Sequence, residues 1–383
     1  MKGAIIIEGH VQGLSNVRSL GERGIPIYVI DVCHCLAQYS RYCKKFFICP
    51  KFDSREFIDF LLDLGDRENL RDWVLIPSND HIVENLSKNL DKISSFFKTL
   101  VPPYELLKSI INKKKLLEVA ESCGVPIPKT YYIETKKDIN SSSFPILIKG
   151  NYGLSFYKNM HVKALQIDCF DGFESILEVI EKKVSSDDIM IQELIPLDSK
   201  NKVVSFTCFA DKGNIKTFWM GDKLREHPIN YGTATFSRSI YVKQVYEYAK
   251  LLVARLGYTG VCEIEFMLDP RDKIYKLIEI NPRTWLWVGL AKACGVDYAY
   301  FVYAYVNDLK VDYPLRYELD VKWINWVTDI VYGVKAIIKG NLSVSEYFKS
   351  LKGKKIRAIW SCKDIFPGIV FPFMLFYIAQ KRR

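Results

Sequence analysis

Apolar and polar positions along the chain alternate in two rhythms, and the switches between them mark the elements. The opening "GAIIIEGHVQGLSNVRSLGERGIPIYVID" reads as strand, turn, helix, turn and strand, the start of a parallel βαβ layer. "REFIDFLLDLGD" repeats at the helical period, "WVLIPSND" is a strand ending in Ser78, Asn79 and Asp80, and "HIVENLSKNLDKI" is a further helix. The first domain therefore runs to about residue 108. The pattern then changes to a helix "NKKKLLEVAESCG", the segment "VPIPKTYYIE" and a strand "FPILIKG" that ends beside Lys149. "NYGLSFYKN" reads as a turn whose Gly153 and Ser155 bring backbone N–H groups within reach of phosphates. A helix around "FESILEVIEKKV" and the strands "IMIQELIP" and "VVSFTCFADKG" follow, with no internal repeat.

Two later runs carry the densest chemistry. In "VCEIEFMLD", Cys262, Ile264 and Phe266 alternate with Glu263, Glu265 and Met267. In "YKLIEINPR", Glu279 and Asn281 share one strand face while Ile278 and Ile280 take the other. The connection "PRDK" predicts an antiparallel hairpin that brings Glu265 near Glu279. Carboxylates that close repel unless a cation lies between them, and Mg²⁺ takes such oxygen donors together with phosphates. Arg283 would then supply a bidentate donor for a phosphate or carboxylate. The same spacing also suits a solvated hairpin edge of alternating charge.

Composition narrows the classes. A chain of 383 residues, 49% hydrophobic and 26% charged, is long enough for two or three globular domains. The first apolar run, "AIII", is too short for a secretory signal, and ten cysteines without such a signal indicate a reducing, cytoplasmic compartment. Cys33, His34, Cys35, Cys43 and Cys49 lack paired C-x-x-C spacing, and the cysteines read as buried or surface thiols rather than zinc ligands. "GHVQG" lacks the third glycine of the dinucleotide fingerprint, and Asp31 at the next strand end is an ordinary strand-end acid. A net charge of +10 calls for an anionic partner, and the dispersed basic residues argue against nucleic acid. The apolar segment from Ile365 to Ala379, followed by Lys381, Arg382 and Arg383, is too short and too proline-broken to span a bilayer. It either lies in an anionic headgroup interface or closes over a core, with the apolar stripe of residues 321–338 as its partner.

From residue 109 to about 310 the ordered set of a helix lysine before "GVPIPKT", "PILIK", "IQELIP", "GDKLREHPINYGTATF", "GYTGVCEIEFMLDP" and "YKLIEINPR" resembles the ATP-grasp superfamily. The resemblance implies an α/β and α+β chain: a Rossmann-like parallel sheet over 1–108, two ATP-grasp lobes over 109–195 and 196–310, and a helical, basic segment over 311–383. ATP would lie between the lobes with Mg²⁺, or Mn²⁺ in its place. Lys113 and Lys149 match the phosphate-binding lysines, with Lys114 the alternative to the first. Ser155 falls in the phosphate loop, which is poorer in glycine than the family pattern. Gln192, Glu193, Leu194 and Ile195 match the adenine hinge, and Asp198 a ribose acid, though Leu197 stands where the family has glycine. Glu265, Glu279 and Asn281 match the metal ligands, and Arg283 the arginine facing the transferred phosphate.

The layout is similar to D-aspartate ligase-type carboxylate–amine ligases, which make amides through an acyl phosphate and extend cell-wall precursors. Lys223 and Arg225 would then hold a substrate anion beside ATP. The substrates implied are a small carboxylate and an amine, with contact to an anionic membrane surface. Two other readings stand beside this one: phosphorylation of bicarbonate, as in carbamoyl phosphate synthetase or biotin carboxylase, and a nucleotide-binding regulator without turnover.

Overall fold

A computed structural model describes residues 2–196, 203–227 and 232–381. Three sheets follow one another along the chain. The first contains β1 (Ala4–Ile7), β2 (Ile27–Asp31), β3 (Cys43–Ile48), β4 (Val74–Pro77) and β5 (Lys98–Thr99), all parallel in the order β3-β2-β1-β4-β5. Its central strand has no polar side chain because both faces are covered. Ala4 and Ile6 enter one core and Ile5 and Ile7 another.

The second sheet is antiparallel, β6 (Thr130–Tyr132), β7 (Ile146–Gly150), β8 (Ala164–Ile167) and β9 (Ile189–Glu193), ordered β6-β9-β7-β8. Ile146, Ile148, Ile189 and Ile191 bury one face against Phe156, Leu177 and Ile180. By alternation Leu147, Lys149, Met190 and Gln192 occupy the other.

The third sheet contains β10 (Val203–Asp211), β11 (Asn214–His227), β12 (Thr233–Ser239), β13 (Gly260–Leu268), β14 (Tyr275–Asn281), β15 (Lys322–Ile324) and β16 (Lys355–Arg357). They lie in the order β14-β13-β10-β11-β12-β15-β16, antiparallel except for the last pair. This sheet thus continues past residue 310 by two short strands.

The first and third sheets share a core. Val11, Leu14 and Leu20 of the helix Val11–Gly21 pack with Trp285, Trp287 and Leu290. Above that contact the amides of Gln12 and Asn16 donate to Thr284 Oγ1 at 3.0 and 3.2 Å. The segment directly after β14 is therefore fixed by the N-terminal domain.

The end of the chain returns to that domain. Buried Asp364 accepts from Arg18 Nε (2.9 Å), Ser40 Oγ (2.8 Å) and the Arg41 N–H (2.9 Å). The last helix, Phe366–Lys381, then sets Phe371 into the shared core and brings the Tyr377 ring to 6.0 Å from that of His34. Its other side leaves Phe366, Ile369 and Phe373 exposed. The partner surface is thus the N-terminal domain, where the sequence had pointed to residues 321–338. That stretch is instead pinned to the third sheet. Asp329 takes Arg225 Nε and Nη2 at 2.7 and 2.8 Å and the Tyr347 hydroxyl at 2.9 Å.

A buried ion pair is costly to break from one side, because the remaining charge has no water to turn to. Arg225→Met is expected to lower unfolding free energy by about 3–5 kcal/mol, and the joint change with Asp329→Leu to restore most of it. Urea unfolding of the two variants measures both effects.

Candidate active site

The site is built on the hairpin of β13 and β14. Register sets Glu265 opposite Glu279 and Glu263 opposite Asn281, while Cys262, Ile264, Phe266, Leu277 and Ile280 turn into the core behind. Strict alternation placed Ile278 with Ile280. A bulge instead inserts Ile278 between the pairs Glu265–Glu279 and Phe266–Leu277, so that Leu277 takes the core position. The consequence is a hairpin face carrying three carboxylates and one amide. Asn281 Nδ2 donates to Glu263 Oε2 at 3.2 Å and to Glu279 Oε1 at 3.3 Å.

Cations from other elements make this face tenable. Lys223 on β11 donates to Glu265 Oε1 at 2.7 Å. Burial alone would strip its proton, but Glu265 and Glu263 outweigh that and hold the ammonium charged, above the ordinary lysine range. Burial likewise works to raise Glu279, while Lys113 and Lys223 draw it below the usual carboxylate value. Glu263, 4% exposed, is pushed up to about 7 by burial and by Glu265 beside it.

Arg283 reaches across to the N-terminal domain, where its Nε and Nη2 donate to Asp80 at 2.6 and 2.9 Å. Asp80 begins the helix Asp80–Lys88, just beyond the carboxyl end of β4, the edge of a parallel sheet where ligands gather. Burial favours its neutral form, and Arg283 overrides this and keeps the carboxyl below its ordinary value.

The two lysines assigned to phosphate come from a helix packed on the core of the third sheet and from β7 of the second sheet. Lys113 is the first residue of the helix Lys113–Ser122, capped by Asn112, and its N–H donates to the Asn151 carbonyl at 3.0 Å, beyond the end of β7. Its charge acts on Asp80, Lys149 and Glu279 together. Lys114 turns aside over the Tyr132 ring at 4.5 Å, and Lys115 is exposed. Lys149 is pushed down to about 7, first by burial and then by Lys113, against a smaller opposing pull from Glu279.

Other expected positions fall differently. "NYGLSFYKN" is a helix, Gly153–Met160, rather than a turn, and Ser155 is exposed in its first turn. Gly153 comes close to Lys113, since a Cβ there would lie 3.4 Å from its Nζ. Arg225 is not beside Lys223: register shifts on both sides of it in β11 break the alternation and send it to Asp329, with Nη1 on Ser350 Oγ at 2.7 Å. Its donors are consumed inside the fold, so it is withdrawn as an anion holder.

At the hinge, Gln192 Nε2 donates to Thr130 Oγ1 (2.9 Å) and the Leu194 N–H to the Pro145 carbonyl (3.1 Å), while Ile195 is buried. Glu193 ties β9 to the β13–β14 turn through Lys276 (3.0 Å) and Arg271 (2.6 Å). Asp198 lies outside the described residues, as do Arg382 and Arg383. Sequence reasoning assigned no role to Glu263 or Asp80. The two-residue alternation with Glu265 was a signal for the first, and the end of a parallel strand for the second.

Glu265, Glu279 and Asn281 offer only oxygen, the donor type that suits Mg²⁺. No group of three or more His, Cys, Asp or Glu forms a self-sufficient metal cage among the described residues.

Residues 205–304 match the family model for the carbamoyl-phosphate synthase L chain, ATP binding domain. The D-aspartate ligase of Enterococcus faecium is 26% identical over 262 residues, which cover 64% of this chain and 62% of that protein. The match thus spans less than two thirds of that relative. Biotin carboxylase from Campylobacter jejuni superposes with a TM-score of 0.65 at 16% identity, over 84% of this chain and 74% of that one. The L-amino acid ligase from Bacillus licheniformis does so at 0.61 and 14%, over 82% and 75%. At such identities the structural likeness is one of fold, and the chain has the ATP-grasp fold.

Folding lowers the Lys149 pKa to about 7, so above that pH the neutral amine prevails, and phosphate oxygens that require the ammonium must bring a proton back. ATP binding at pH 8 is expected to take up a proton, and affinity to fall as pH rises past about 7. Calorimetry in buffers of different ionisation enthalpy measures the uptake, which Lys149→Arg should abolish.

Proposed function

We propose that this ATP-grasp protein is an ATP-dependent carboxylate–amine ligase working through an acyl phosphate, with an amino acid as the carboxylate substrate. The observation that carries the reading is the convergence of Glu265, Glu279 and Asn281 with Lys113, Lys149, Lys223 and Arg283, cations from three parts of the fold. A binding module needs no such cluster of opposed, half-buried charges. The similarity to a D-aspartate ligase supports the choice of substrate class, and an amine on a cell-wall precursor is the acceptor this reading proposes.

The chemistry follows from what these side chains can do. A substrate carboxylate oxygen attacks the γ-phosphorus of ATP, ADP leaves, and the resulting acyl phosphate is attacked by the amine, which loses a proton as phosphate departs. Bound Mg²⁺ would supply charge neutralisation between the phosphate oxygens. Lys113 from its helix and Lys149 from the second sheet hold phosphates, and Lys223 keeps Glu265 oriented at 2.7 Å. Arg283, kept cationic and aimed by Asp80, meets charge that develops on the transferred group. The hinge from Gln192 to Ile195 receives the adenine edge. These are positioning and electrostatic tasks, which phosphoryl transfer chiefly demands.

A bicarbonate-phosphorylating enzyme is the second reading, favoured by the match of residues 205–304 to a carbamoyl-phosphate synthase domain. A phosphate-release screen of paired amino acids and amines, with mass spectrometry of the product, separates the two. Turnover that requires both partners and yields a product of their summed mass less water supports the ligase. Bicarbonate-dependent turnover without an amine supports the second reading. Glu279→Gln keeps side-chain volume and removes a charge at the metal, so turnover should fall about 100-fold or more with an unchanged unfolding midpoint.

A further inference from the structure

We propose that the helical hairpin formed by Trp326–Ile338 and Val344–Ser350 is a docking surface for an anionic lipid leaflet. The inner side of the hairpin is fully engaged. Asp329 is held by Arg225, and Tyr347 packs so closely on Gly333 that a Cβ there would come within 2.6 Å of its ring. The outer side is unpartnered. Ile330, Val334 and Ile338, at i, i+4 and i+8, form one stripe along about 12 Å of helix, widened by Val331. Val344 and Phe348 repeat the spacing on the second helix. Ile338 is 79% and Phe348 64% exposed, and six such residues on a single hairpin exceed the scattered apolar side chains of an ordinary surface.

Charge decides the occupant. Between residues 330 and 363 stand eight basic residues: Lys335, Lys339, Lys349, Lys352, Lys354, Lys355, Arg357 and Lys363. All eight are exposed. The one acid in that span, Glu346, is turned back on Ser343 in a capping box. A nucleic acid would match the charge and leave the apolar stripe in water. A second copy of the chain would cover the stripe and set basic residues against their own kind. An anionic leaflet takes both, with apolar side chains at the acyl boundary and lysines reaching to headgroups. No helix among the described residues is long and apolar enough to cross a membrane, so the contact is peripheral. The last helix, with Phe366, Ile369 and Phe373 outward, is a separate apolar face, and the hairpin is distinguished from it by variants.

The test is sedimentation of the full chain with vesicles of phosphatidylcholine, with and without phosphatidylglycerol. The protein should pellet with the anionic vesicles alone and be released as salt rises to about 0.5 M. Ile338→Asp with Phe348→Asp should weaken binding at least about tenfold, as should Lys335→Glu with Lys339→Glu, each with an unchanged unfolding midpoint. Phe373→Asp should leave binding in place. Protein that stays in the supernatant overturns the proposal, as does binding that survives the hairpin changes and disappears with Phe373→Asp. A hairpin variant that dissociates an oligomer in analytical ultracentrifugation, where the full chain never pellets, assigns the surface to a second copy and likewise overturns it.

Discussion

Opposed charge on a single strand face is the constraint around which the chain is arranged. Glu263, Glu265 and Glu279 stand within one hairpin register, and three carboxylates so placed could not persist without counter-charges. The fold delivers those charges from far apart: Lys223 from β11, Lys113 from the helix Lys113–Ser122, Lys149 from the second sheet, and Arg283 steadied by Asp80 from the first. No single domain contains the site. Packing between the sheets therefore keeps these charges matched, since any shift that withdrew one cation would leave an acid poorly solvated and unmatched.

The packing is uneven in a way that suits this task. The first and third sheets share a core through Trp285, Trp287 and the helix Val11–Gly21, and the Gln12 and Asn16 amides fasten Thr284 next to Arg283. The second sheet has a core of its own. Its links to the third include the ion pairs of Glu193 with Lys276 and Arg271, both of which also hold Asp269. The acid platform is thus fixed by shared core, while the sheet that carries Lys149 is joined to it through polar links.

Much of this was legible in the sequence where the governing period was local. The β13–β14 hairpin, its pairing of Glu265 with Glu279 and the parallel opening layer follow from alternation and turn residues alone. Legibility ended where a bulge or a distant partner took over. Lys223 and Arg225 are two apart and ought to share a face, but the shifts around Arg225 divide them between Glu265 and Asp329. Ile278 lost its expected core position to Leu277 in the same way. Asp80 meets Arg283 across 203 positions, and β15 and β16 are three-residue strands that only the existing sheet edge makes regular. "NYGLSFYKN" became a helix although its glycine and polar residues favour a turn, because Phe156 is buried in the core of the second sheet.

The central claim is that Glu265, Glu279 and Asn281 hold a divalent ion against the phosphates of a nucleotide. A crystal of the protein grown with Mn²⁺ and a non-hydrolysable ATP analogue tests it directly, because Mn²⁺ scatters anomalously and stands in for Mg²⁺ at oxygen sites. The account predicts an anomalous peak at bonding distance from both glutamates and the asparagine, with phosphate oxygens completing the shell and Lys113 and Lys149 on the phosphates. A peak elsewhere, or a nucleotide bound with the three side chains still directed at Lys223, Glu263, Arg283 and one another, would contradict it.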